Sequence, residues 1–163
     1  MDQAIRFRQI EIIRFLHENR REGCSSMPVL DTCLHWAESA KPGREKKKGD
    51  KHEQAIKQDK ELLSFLHRHY PKGFVPFVMY VACLYRCIQL VRFLVALRPE
   101  SYSHPALMHI TASEVTDAET LSSLYEGGIR FTDDEAQLML DPTRSPGLQV
   151  GVQAVLREMH RLL

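Results

Sequence analysis

Two short phrases recur along the chain, and their shared spacing restricts it to architectures built from repeated units. An aliphatic residue, then His or Tyr, an apolar residue and a small one stand at Leu34-His35-Trp36-Ala37, Met79-Tyr80-Val81-Ala82 and Met108-His109-Ile110-Thr111. A second phrase stands at Ile12-Ile13-Arg14-Phe15-Leu16, Leu62-Leu63-Ser64-Phe65-Leu66 and Leu90-Val91-Arg92-Phe93-Leu94, with Thr120-Leu121-Ser122-Ser123-Leu124 a weaker copy. From Tyr80 to His109 is 29 positions and from Leu94 to Leu124 is 30, so both phrases advance together at a period proper to repeat proteins. The expected fold class is all-α: a short α-solenoid of stacked helix pairs with degenerate repeats, a long insertion and a C-terminal capping helix.

Along the chain this predicts one repeat domain over 1–163. Its parts are a partial first unit 1–23, a unit 28–73 with a charged insertion 41–58, units 74–102 and 103–130, and a C-terminal unit or cap 131–163. Residues 4–19 place Ile5, Ile12, Ile13, Leu16 and nearby Phe15 at helical spacing, and Gly23 closes that helix. Asp31 or Thr32 caps a short helix to Ala40. The tract KPGREKKKGDKHEQAIKQ cannot bury its own surface and is expected as a mobile loop, turning helical from His52 onward. Residues 78–97 are apolar nearly all round and belong in the middle of a stack. Further on, Asp117 caps a helix over Ala118–Glu126 that Gly127-Gly128 ends, and Thr132-Asp133-Asp134-Glu135 starts another by a capping box. Leu148 to Leu163 reads as an amphipathic, polar-faced cap.

These residues resemble the ankyrin-repeat family. Its phrase T-P-L-H-x-A-A is nearest in Thr32-Cys33-Leu34-His35-Trp36-Ala37, and its second-helix phrase in Ile88-Gln89-Leu90-Val91-Arg92-Phe93-Leu94. Gln9 to Leu16 looks like the second helix of a truncated first unit. The proline of the phrase is missing from every unit, the usual Gly-His appears as Arg86-Cys87, and the hairpin is only echoed by Gly127-Gly128-Ile129. Another α-solenoid is the alternative. The resemblance implies a non-enzymatic module that binds a protein partner through a concave face. Matched position by position, that face carries Ser39 and Ala40, then Leu84 and Tyr85, then Ser113 and Glu114, with Phe74 and Tyr102 as aromatic anchors near hairpin tips. The family also implies a structural role for His35 and His109, through bonds to the backbone of the turn.

Chemistry outside that framework is sparse. No Gly-rich phosphate loop, nucleophile elbow or HExxH helix is present, and neither a cofactor nor an enzymatic activity is expected. His67 and His69 point about 200° apart on a helix and would not converge on one ion. Cys83 and Cys87 share a helix face without a second ligand pair, so packed, reduced thiols are expected. Trp36 reads as core, and Asp133-Asp134-Glu135 as a helix start. With 22 basic and 21 acidic side chains the chain has no overall polyelectrolyte field. The segment Lys41, Arg44, Lys46, Lys47, Lys48 and Lys51, opposed only by Glu45 and Asp50, is the exception. A solvated loop is its plain reading, and an adaptor that binds nucleic acid or another anionic surface is the alternative function. The sequence carries neither a signal-peptide pattern nor a membrane span. A cytoplasmic protein is expected, or one in a host cytosol if it is delivered by a bacterium or a virus.

Overall fold

The structure, a computed structural model, describes residues 1–21, 23–40, 49–97, 112, 115, 117–140 and 149–160. Every regular element among them is a helix. Contacts divide the chain into two units, Met1–Val78 and Met79–Leu163.

The first unit holds α1 (Asp2–Arg6), α2 (Ile10–Asn19), α3 (Ser26–Ser39), α4 (Gly49–His69) and a 3₁₀ turn at Pro71–Gly73. The expected single helix over 4–19 is broken between α1 and α2. Arg8 adopts φ 54°, its N–H bonds the Ile5 carbonyl, and the Gln9 N–H reaches back to the Ala4 carbonyl at 2.9 Å. That pair of bonds is a Schellman closure, which turns the chain and re-phases α2 relative to α1. As a result Ile5 and Ile13 are buried, whereas Ile12 and Phe15 face outward.

Helix α3 starts well before Asp31 and Thr32, at Ser26. Ser25 is extended and fixed by Asp2, which accepts both its hydroxyl (2.7 Å) and its backbone N–H (3.2 Å). Pro28 is tolerated in the first turn, where an N–H has no intrahelical acceptor. Thr32 lies inside the helix and donates its hydroxyl to the Pro28 carbonyl at 2.8 Å. Helix α4 begins at Gly49, three residues before the expected His52, and runs 21 residues. Its buried residues Asp59, Leu62, Leu63 and Leu66 fall at helical spacing on one face. Fully buried Leu63 and Leu66 contribute about 1.5–3 kcal/mol each by leaving water. Helix α1 packs on both α2 and α3, and α3 packs on α4. Two helix pairs thus lie side by side around Ile5, Ile13, Val29, Cys33 and Trp36.

Helix α5 (Phe77–Leu84) runs across the division, and the second unit continues with α6 (Ile88–Leu97), α7 (Ala118–Glu126), α8 (Asp133–Met139) and α9 (Gln149–His160). Arg86 repeats the Arg8 geometry with φ 51°: its N–H bonds the Cys83 carbonyl, and the Cys87 N–H bonds that of Ala82. Gly128, φ 85°, makes the third copy, bonding Tyr125 while Ile129 bonds Leu124. Helix α7 is capped by Asp117, which accepts the Thr120 N–H at 2.7 Å, and it packs on α6 and α9. The capping box of α8 is complete: Thr132 accepts from the Glu135 N–H, and Glu135 accepts from the Thr132 N–H at 2.8 Å. Leu90, Val91, Leu94, Leu121, Leu124 and Ile129 form the core. The first part of the expected unit 103–130 lies mostly outside the described residues, and His109 wholly so.

Candidate functional site

The most concentrated chemistry of the first unit surrounds Asp59, whose side chain is fully buried. Leaving a lone carboxylate there would be costly, because a buried charge needs compensating partners. Two are supplied. Arg8 donates Nε–H to Oδ1 at 2.7 Å, and His35 Nδ1 lies 2.5 Å from Oδ2. Three segments therefore meet on one carboxylate: the α1–α2 turn, α3 and α4. The family resemblance implies backbone bonds for His35; its Nδ1 instead takes the carboxylate, a stronger acceptor. Fixing Nδ1 leaves the opposite edge of a ring that is 41% exposed toward solvent. The arrangement orients an imidazole much as an acid–base dyad does. With Arg8 on the same carboxylate, the grouping acts as a clamp.

A second cluster joins α2 to the end of α4. His17 Nδ1 lies 2.9 Å from the Tyr70 hydroxyl, and its ring centroid is 4.2 Å from that of His69. Phe65 packs against both rings, 5.4 Å from His17 and 4.6 Å from His69. Desolvation, then the nearby His17 and Arg68, hold the His69 ring below the ordinary histidine range. His67 points elsewhere, edge-on to Phe74 at 5.4 Å. Among the described residues no three His, Cys, Asp or Glu side chains converge on a metal position.

Exposure of large apolar side chains is the remaining feature. Phe7 is 67% exposed, Phe15 61%, Met27 57% and Ile12 46%. All four belong to the first unit, and Ile12 and Phe15, three apart, are neighbours on the outer face of α2. Nothing in the repeat phrases marks them, since Ile12 and Phe15 occupy positions that read as core. Their register against the Arg8 turn was the missing signal.

The expected contact residues scatter. Leu84 is exposed at 42% and Tyr85 is half-buried at the end of α5. Ser39 and Phe74 are buried, Phe74 against His67, so their side chains are engaged in packing rather than offered to a partner. Tyr102, Ser113 and Glu114 lie outside the described residues, as do Lys41, Arg44, Lys46, Lys47 and Lys48, while Lys51 falls in the first turns of α4. Trp36 is core. All four cysteines are thiols, and burial raises the pKa of Cys24 and Cys87, the opposite of nucleophile activation.

Among the depressions of the described surface are two open grooves of about 560 Å³ and a smaller notch. One groove lies between α8 and α9, flanked by Gln137 and Arg157; the other groove and the notch line the α2–α4 seam. No helix among the described residues is long and apolar enough to cross a membrane. No family model, curated protein or solved structure matches the chain.

Proposed function

We propose that this chain is a non-enzymatic protein-interaction module, organised as an ankyrin-like array of helix pairs with a C-terminal cap, and that it docks a partner protein. The exposed apolar surface of the first unit carries this reading. Phe7, Ile12, Phe15 and Met27 leave large hydrocarbon area in water, Ile12 and Phe15 as neighbours on one face of α2, and adjacent exposure of that kind is a mark of contact surfaces. Two further observations support it. The helix, left-handed turn, helix device recurs at Arg8 and Arg86, in the places where the family has its glycine. Within the first unit, successive helix pairs pack through their first helices, α1 on α3. In the second unit, considered by itself, Leu84 and Tyr85 remain the candidate contact residues.

Replacing Phe15 with a photoreactive phenylalanine analogue and irradiating the native protein in a cell extract tests this directly. A single identifiable protein should be crosslinked, and adding Ile12→Asp to the analogue-bearing protein should abolish its capture while leaving the melting temperature unchanged. Equal capture with and without Ile12→Asp would sink the reading.

A further inference from the structure

The seam between α2 and α4 presents a different surface from the apolar face around Phe15. Along α4, Lys57, Lys60, Ser64 and Arg68 repeat at helical spacing, so they form a stripe roughly 16 Å long. Arg14 of α2 faces this stripe across a groove of about 560 Å³. All four cations are exposed, and none has an ion-pair partner among the described residues. Glu61 is the single carboxylate lining the groove, which leaves it with an excess of positive charge.

Beside it lies a second depression, a notch of about 50 Å³ lined by Ile10, Ile13, Leu62 and Phe65. Arg14, Glu61 and Phe65 border both spaces, so the basic groove and the apolar notch are continuous. We infer that this seam binds an acidic segment of a partner protein, with one aliphatic side chain seated in the notch and carboxylates spread over Arg14, Lys57, Lys60 and Arg68. The inference rests on the protein-interaction reading and names the partner's chemistry.

Two features favour a peptide over single-stranded nucleic acid. The notch is small, about 50 Å³, and Ile10, Ile13, Leu62 and Phe65 give it mainly hydrocarbon walls, which suit an aliphatic side chain rather than the polar edges of a base. The Phe65 ring, the one aromatic group at the groove, already packs on His17 and His69 and offers no open platform for base stacking. An extended peptide of about five residues spans the stripe. The seam is built from α2 and α4, the second helix of each pair, and so stands apart from the first-helix face that the family resemblance implies.

The test uses the full chain and a fluorescein-labelled glutamate-rich peptide carrying one leucine, read by anisotropy. Lys60→Glu with Arg68→Glu should weaken binding about tenfold or more, since each reversal replaces attraction by repulsion. Glu61→Gln should strengthen it, and added salt should weaken it. Replacing the peptide's leucine by glycine should cost several-fold affinity, and replacing its glutamates by glutamines should abolish binding. Helicity and melting temperature should match the parent in every variant, because the substituted positions are exposed. Absence of peptide binding, indifference to the double reversal, or tighter binding of an oligouridine of equal charge would overturn the proposal. Crosslinking through Phe15 reads the other surface, so its persistence alongside a failed peptide would leave the module reading standing.

Discussion

Arg8 and Arg86 share one backbone conformation, yet substitution at the two positions should move stability in opposite directions. At φ near 50° an L-residue carries about 1 kcal/mol of steric cost that glycine avoids. Arg86 is exposed, so Arg86→Gly removes that cost and should stabilise by about 0.5 kcal/mol after the added flexibility of the unfolded chain is counted. Arg8→Gly gains the same relief but strips the guanidinium from buried Asp59, and breaking a buried pair commonly costs about 3 kcal/mol or more. His35 remains on the carboxylate, so a net loss of about 2 kcal/mol is expected. Denaturant melts of the two variants check both signs; destabilisation of similar size in each would show that Asp59 does not depend on Arg8. Gly127 is constrained by space instead. A methyl group there would sit 1.7 Å from Val95 Cγ1, so Gly127→Ala should cost about 1–3 kcal/mol. Adding Val95→Ala opens the space, and the double variant should be less destabilised than the two single losses summed.

Between elements, the α2–α4 contact has a titratable joint. His69 lies against His17 from α2 and Phe65 from its own helix, with Arg68 beside it and the Tyr70 hydroxyl bonded to His17. Desolvation of the ring, and after it the charge that protonation adds beside His17 and Arg68, lowers its pKa. The sign for stability comes from the same preference. Since the folded state favours the neutral ring, the contact contributes fully above the unfolded histidine pKa of about 6.5, and that contribution fades as pH falls through the lower folded value. A proton NMR titration should therefore place the His69 midpoint below the ordinary range, and His17→Ala should move it upward. A midpoint indifferent to His17→Ala would assign the shift to desolvation and Arg68 without His17. Element boundaries show which features local sequence can disclose. The caps at Asp117 and Thr132 reach only three residues along the chain, so local chemistry reveals them. The start of α3 eludes it because Asp2 fixes Ser25 from 23 residues away, whereas α4 begins only three residues before the expected His52.

For the molecule as a whole, the recurring phrases disclosed helical architecture, whereas the clamp that ties three segments of the first unit together was hidden by sequence distance. Asp59 bonds residues 51 and 24 positions away, and no repeat phrase contains it. Its one outward sign was register, an acid in phase with Leu62, Leu63 and Leu66. The exposed apolar positions were equally obscure, because a left-handed turn at an arginine re-phased Ile12 and Phe15 outward where the apolar pattern placed them inward. Cysteine usage, in contrast, was legible in outline, and it leads to a prediction that spans both units. Cys33, Cys83 and Cys87 are at most 5% exposed, and Cys24 is the one partly open thiol. Burial, reinforced by the Asp2 carboxylate, raises the Cys24 pKa, so even that thiolate is scarce at neutral pH. A disulfide reagent should accordingly label Cys24 slowly in the native protein and reach the other three only on unfolding. Reductant should leave the melting temperature unchanged, as no cross-link is there to break. Cys24→Ser should remove the slow native phase and nothing else. Rapid labelling of two or more thiols without denaturant would mean that the cores built on Cys33 and on Cys83 and Cys87 open far more readily than their burial implies.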